Sequence, residues 1–319
     1  MNGPYLIRRL LQVIPLLVGV SILGFLMMQL APGGFAALYT LNPNVSSQDI
    51  ERIKEAWGLN RPLWQQYLTW AGNMFTGDWG HSFRGGAPVS HLIWERVPAT
   101  LELMGTAYAL AIIFGFAIGT IGATRQYSAF DYLASTGALV ALSIPTFWFG
   151  LMVIYVFAER LGWIPSGGYR SLGEGGGTLG DRLHHLIAPA LVLAFVLTAQ
   201  WSRYFRSSLL DVIHQDYVRT AYAKGLAGRR VLRGHILRNA VLPIIALAGV
   251  QLPAVFGGAL VTESVFAWAG MGRLFLDALT YRDFPVLMAL LMVTAVLVVI
   301  GNLIADIALS FVDPRIRVR

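Results

Sequence analysis

Charged and titratable residues are few enough in this chain to be weighed one at a time. A lysine can hold the phosphates of a nucleotide when it ends a glycine-rich loop and is followed by Ser or Thr. Lys54 is followed by Glu55, and Lys224 by Gly225, so neither lysine fits and the chain has no phosphate-cradling loop of that kind. Of His81, His91, His184, His185, His214 and His235, one pair is adjacent, with side chains that diverge on a helix. No second ligand stands at metal spacing. The absence of cysteine excludes disulfides, thiolate metal sites and thiol catalysis. Ser143 sits in an apolar stretch without a His and Asp arrangement near it in sequence, which leaves hydrolase chemistry unsupported. Glu102 and Asp306 are the carboxylates within apolar stretches. A charge at mid-bilayer costs on the order of 2.5–3.5 kcal/mol. Each of these two lies near the end of its stretch, where it can reach the interface or a neighbouring helix, so both read as structural. Coupling to a proton or sodium gradient would ask for more carboxylates than this.

The elements that must position any function are membrane helices. Of 319 residues, 56% are hydrophobic and 13% charged, against roughly 45–50% and about 25% in soluble domains. Mean hydropathy is +0.60, and the run from Val286 to Ile300 holds no charge. A soluble enzyme is excluded. The net charge of +7 lies beside apolar spans rather than on a folded basic face, so no nucleic-acid partner is expected. Arg8 and Arg9 precede an apolar run to about Leu30, too long for the core of a cleaved signal, which predicts a retained first span. Taking about 20 apolar residues per crossing, six spans are expected, at roughly 8–30, 99–123, 132–158, 186–206, 241–262 and 286–311. The fold class is an all-α polytopic membrane protein.

With six spans both termini share a face. That face carries Arg8, Arg9, Arg125, the bases from Arg203 to Arg238, and Arg315, Arg317 and Arg319, against Asp131, Asp211, Asp216 and Asp313. The opposite face is nearly balanced, so both termini are expected in the cytoplasm. In the outer segment 31–97, Ser46 or Ser47 can cap a helix ending at Gly58, and Pro62 opens a second that stops near Gly77. This predicts a small helical outer subdomain, either a packing collar or a docking surface for an external partner. Gly173 to Gly180 reads as a flexible loop. Pro15, Pro145, Pro189, Pro243 and Pro253 fall within or at the ends of spans, where each removes a backbone donor and favours a kink. Gly115 and Gly119 allow close approach of another helix.

The stretch from Asp211 to Pro243 differs from the rest. Asp216 can cap a short helix, on which Thr220, Ala221 and Ala223 make a surface that another protein can approach closely. Gly225 stops that helix in the left-handed conformation, and a second, basic helix leads into span five. Attraction of basic residues to anionic lipid explains neither the small residues nor the glycine stop.

This stretch resembles the cytoplasmic loop of ABC importer permeases. Arg219, Thr220 and Ala221 occupy the Glu-Ala-Ala places, Gly225 is the glycine, and Leu242 with Pro243 closes the motif. The branch importing dipeptides, oligopeptides, glutathione and nickel chelates is the nearer match, through Tyr217 to Ala221, Ala223 to Leu226 and Leu237 to Ala240. Further matches run through the chain: Gly58-Leu59, Pro62, Gln66-Tyr67, Gly77-Asp78, Pro98-Ala99-Thr100-Leu101, Ser143-Ile144-Pro145, Gly162-Trp163-Ile164-Pro165, Gly257-Gly258, Glu263, Arg282-Asp283 and Asp313-Pro314-Arg315. Three places depart from the pattern. Pro32-Gly33-Gly34-Phe35 replaces a usual Pro-Gly-Asp-Pro, Ala269 replaces a proline before Gly270, and Tyr222 replaces a common arginine.

The resemblance implies a type I ABC importer transmembrane fold, divided into a first helix with outer subdomain at 1–97, a five-helix core at 98–312 with a coupling loop at 207–240, and a cytoplasmic tail at 313–319. It implies a permease subunit for dipeptides or oligopeptides in a bacterial or archaeal cytoplasmic (inner) membrane. The alternatives are glutathione, a nickel chelate or another small solute, and a membrane scaffold or sensor that moves nothing. Implied partners are a second homologous permease, two cytoplasmic ATPases and an extracytoplasmic solute-binding protein. This chain would then have no catalytic residue and no cofactor, ATP and magnesium belonging to the ATPases. The implied coupling residues are Asp216, Tyr217, Arg219, Thr220, Ala221, Lys224, Gly225 and Leu226. No side chain is assigned to the substrate path, since apolar faces meeting lipid and peptide look alike.

Overall fold

The computed structural model describes residues 3–30, 46, 48, 51, 52, 55, 58–173, 176–257 and 259–312. The described residues are helical, joined by turns and one isolated β-bridge between His81 and Pro88. Helix α1 spans Gly3–Leu30 and α2 spans Leu63–Thr76, then α3 runs through Val89–Thr124. Next come α4 (Ala129–Ser143), α5 (Thr146–Val153) continued by a π-wound turn at Ile154–Arg160, and α6 (Leu179–Ile213). Helix α7 (Asp216–Ala223) and α8 (Gly228–Val231) follow, and α8 passes through a π-wound turn at Leu232–Leu237 into α9 (Arg238–Gly257). The chain closes on α10 (Leu260–Val265), α11 (Met271–Thr280) and α12 (Phe284–Val312).

Five helical stretches are long and apolar enough to cross a membrane, and a sixth crossing is made if the bent pair α4 and α5 counts as one span. The six spans expected stand at the upper end of that range, with changes of shape. Span two starts earlier than 99, because Pro88 ends the preceding turn and α3 begins at Val89. Its 36 residues reach about 54 Å, well beyond a hydrocarbon layer of about 30 Å. The segment expected as the third span is not straight: Ala129–Ser143 and Thr146–Arg160 meet at 98°, where Ile144 is extended and Pro145 heads the second half. Helix α9 ends at Gly257, and the short helices α10 and α11 precede α12.

The centre of the fold is the pair α3 and α6. A Cβ added at Gly115 would lie 2.6 Å from Trp201 Cβ, and one at Gly119 would lie 2.6 Å from Phe205 Cβ and 2.7 Å from Ser202 O. Only glycine lets the two backbones meet there, which is the packing that small residues permit in lipid, where no hydrophobic force draws helices together. Trp201 and Phe205 are buried against Ala111 and Ile244, and α12 packs on α9 and α1.

In the segment between the first two long helices, α2 begins after Pro62, which precedes the first turn rather than lying in it, and ends at Gly77 with φ +88°. The helix expected to end at Gly58 lies largely outside the described residues, as do Pro32-Gly33-Gly34-Phe35, Gly258 and the tail from Asp313. Gly58 has φ +66°, and its N–H donates to Glu55 O at 3.0 Å. Helix α2 is tied to α1 by Ser21 with Tyr67 (2.8 Å) and Gln29 with Gln66 (2.7 Å). The segment after α2 is tied to the turn before α12 by Asp283, which accepts from Ser82 Oγ and from Phe83 N.

Of the two carboxylates singled out in the sequence, Glu102 is held by side chains of a neighbouring segment. Glu102 accepts from Tyr169 OH (3.1 Å) and from Arg182, whose guanidinium stacks over the Tyr169 ring at 4.7 Å. At the start of α6, Asp181 accepts from Ser171 Oγ (2.5 Å), Ser171 N (2.9 Å) and Gly177 N (3.0 Å), and the Ser171 hydroxyl above all holds its pKa down at about 2. The described flanks of the glycine-rich loop are thus held to α6. His184 faces Trp163 O and His185 faces Ser171, so the adjacent histidines do diverge.

Candidate functional site

The loop between α6 and α9 builds a short projecting helix. Its chain leaves α6 at Ile213 and turns at His214 and Gln215 into α7. Gln215, not Asp216, occupies the cap position, with no side-chain capping bond. Asp216 stands one residue later, in the first turn, where its charge favours the positive end of the helix, and lies 3.9 Å from Arg219 with both side chains in solvent. The stop agrees with expectation. Gly225 has φ +76°, its N–H donates to Tyr222 O (2.9 Å), and Leu226 N–H donates to Ala221 O (3.3 Å). That is the Schellman pair of bonds, which satisfies the last carbonyls of the helix.

Helix α7 has an inward and an outward side. Val218 and Ala221, three residues apart and hence on one face, are buried against Ala123 at the end of α3, Leu209 of α6, and Val231, Ile236 and Ala240 of the following helix. Ala221 therefore belongs to the seat of the helix and not to its outward surface. Burying Val218 contributes about 1.5–3 kcal/mol to holding α7 in place. Leu226 packs half-buried on the same cluster, and Ser208 Oγ donates to Ala240 O at 2.7 Å, pinning α9 to α6. Asp216, Tyr217, Arg219, Thr220, Tyr222, Ala223, Lys224 and Gly225 face outward. Thr220 Oγ1 donates to Asp216 O (2.9 Å), so its hydroxyl is partly satisfied within the helix. Arg229, Arg230, Arg233 and Arg238 are exposed along the helix that follows. The result is a small, cationic knob whose buried side rests on the ends of the two most closely packed membrane helices.

The outward residues were legible from sequence, whereas Val218 and its seat were not singled out; the spacing of Val218 and Ala221 was the available signal. Among the described residues no group of three or more His, Asp and Glu could hold a metal.

Two family models cover nearly the whole chain: the N-terminal part of the binding-protein-dependent transport system membrane component over residues 4–104, and the inner membrane component itself over 111–318. The chain belongs to the binding-protein-dependent transport system inner membrane component family. An oligopeptide transport system permease of Bacillus subtilis is 48% identical over 313 residues, covering 98% of each chain. A dipeptide transport system permease of Alkalihalophilus pseudofirmus is 38% identical, over 98% of this chain and 99% of that one. A glutathione transport system permease of Escherichia coli is 37% identical, over 98% of both. Among solved structures, the inward-facing MetNI methionine ABC transporter superposes with a TM-score of 0.56 at 17% identity, over 71% of this chain and 98% of the matched one. That likeness supports the fold, which is consistent with the type I importer architecture. As a member of this family the chain is a multi-pass inner-membrane permease component.

Proposed function

We propose that this permease is the peptide-translocating membrane subunit of an ATP-driven importer, moved from outside by partner ATPases that grip α7. The observation carrying the proposal is the construction of α7: an exposed, glycine-stopped helix seated through Val218 and Ala221 on the ends of α3 and α6. A displacement of such a helix cannot be absorbed by side-chain motion, because α3 and α6 touch backbone to backbone at Gly115 and Gly119. The coupling residues are Asp216, Tyr217, Arg219, Thr220, Lys224 and Gly225 on the contact side, with Ala221 and Leu226 holding the seat. The working assembly contains a second homologous permease, two cytoplasmic ATPases that bring ATP and magnesium, and an external solute-binding protein.

Both termini lie in the cytoplasm, following the excess of arginine on the face of α7. Residues 1–97 form the first span and outer subdomain, 98–312 the core with its coupling loop at 207–240, and 313–319 the tail. Closure of the ATPases on ATP moves both knobs together, and the kinked spans switch the path between its two openings. Peptide as cargo is supported by the names of the relatives at 36–48% identity over essentially the full length; a glutathione relative of similar identity gives the second reading.

The test is uptake of labelled peptides into vesicles holding the four-subunit complex with its binding protein, with glutathione and a nickel chelate as competitors. ATP-dependent peptide accumulation resistant to both competitors is expected. Uptake of glutathione or nickel chelate in place of peptide would refute the cargo, and ATP hydrolysis by the purified chain alone would refute the division of labour.

A further inference from the structure

Next to the seat of α7, the cytoplasmic ends of three helices are joined by one ion pair. Arg206 of α6 donates to Asp131 of α4 through Nε (2.6 Å to Oδ1) and Nη2 (2.8 Å to Oδ2). The Asp131 side chain is 5% exposed, and Tyr127 N donates to it at 3.0 Å from a backbone held at φ +62°. Ser128 Oγ caps α4 by accepting from Asp131 N. Gly122 of α3 closes the niche: a Cβ there would lie 3.2 Å from Asp131 Oδ1 and 3.6 Å from Arg206 Cδ. The other packing of α4 on α6 includes small side chains, Ala138 and Ala141 against Ala199, which grip weakly. One turn beyond Arg206 on the same helix is Leu209, which touches the seat of α7, and at the far end of α4 lies the 98° break at Pro145.

We propose that Arg206 is a positioning residue of the transport cycle, a clasp that carries the displacement of α7 through Asp131 into α4 and so into the broken span. The proposal rests on the docking role of α7. Arg is required because its planar fork fixes both distance and orientation of a carboxylate, which a lysine cannot do. Without the clasp α6 still moves with α7, but α4 lags behind and the broken span no longer follows.

The test uses the full complex in nanodiscs. The cysteine-free sequence lets spin labels be placed at Tyr132→Cys on α4 and Arg203→Cys on α6, both exposed. Their separation is expected to stay constant between nucleotide-free and ATP-trapped states, and to change in the Asp131→Leu/Arg206→Met variant. That pairing leaves no buried charge unpaired, so it preserves stability where a single deletion would not. Uptake per ATP hydrolysed should fall by roughly 2- to 30-fold, the range over which mutations along packed networks alter coupling, while hydrolysis persists. A separation that changes with nucleotide in the unmodified pair, or normal uptake per ATP in the double variant, overturns the clasp. If the double variant does not assemble, Arg206→Lys decides: unchanged uptake per ATP overturns the proposal and a reduced ratio supports it. A photocrosslinker at Tyr222 reads docking separately. A crosslink to the ATPase with normal coupling in the variants refutes the clasp alone, and no crosslink in the unmodified complex refutes docking and the clasp with it.

Discussion

Replacing Gly225 isolates the contribution of the helix stop. At φ +76° nothing lies within 4 Å of a Cβ added there, so a side chain meets no neighbour and the penalty is purely conformational. For an ordinary L-residue that penalty is roughly 1–2 kcal/mol, equivalent to about a 5- to 30-fold loss of the docking-ready conformation. Gly225→Ala should therefore weaken retention of the ATPases by about that factor. Gly225→Asn should cost less, since asparagine tolerates the left-handed region. Gly225→Pro cannot reach a positive φ and removes the N–H that bonds Tyr222 O, so it should abolish ATPase attachment and uptake. All three chains should still insert, because the spans are untouched. Co-purification of tagged permease with its ATPases, titrated for affinity, measures the series. An order other than Gly, Asn, Ala, Pro, or a proline variant that assembles and transports normally, would show that the left-handed stop at Gly225 does not govern docking.

Two further substitutions probe the scaffold. Gly119→Val places methyl groups where a Cβ alone would already sit 2.6 Å from Phe205 Cβ; overpacking of this kind costs about 1–3 kcal/mol. A lower melting temperature in detergent is expected, and an unchanged one would contradict the backbone contact. The second concerns pH. Asp181 has a pKa near 2 in the fold against about 3.9 in an unfolded chain, so its contribution is present above pH 4 and is lost as pH falls towards 2. Asp181→Asn should lower the melting temperature at pH 5, and the difference from the unmodified chain should shrink at pH 3. A constant difference would refute the assignment.

What could be read in advance follows from the range of each interaction. Apolar runs fixed the crossings because lipid forces each segment to satisfy its own backbone, and Gly225 was readable because few residues accept a positive φ. Asp216 was placed one position too early, since an acid suits both the cap and the first turn. Ala221, expected on the outward surface with Thr220 and Ala223, faces the seat because its three-residue spacing from Val218, and not its small size, decides its side. The break at Pro145 was visible as a proline but not as a 98° bend, which packing of α5 on α6 helps to set. Asp131 with Arg206 and Thr100 with Glu263, 75 and 163 residues apart, could be found only in three dimensions.

In the proposed cycle, force reaches the spans through α7. A structure of the whole complex trapped with ATP measures this directly. Tyr217, Arg219 and Thr220 should lie in a cleft of an ATPase subunit, with α7 displaced together with α3 and α6 relative to the nucleotide-free form. Those residues standing free in solvent or among lipid headgroups, with no ATPase against them, would contradict it.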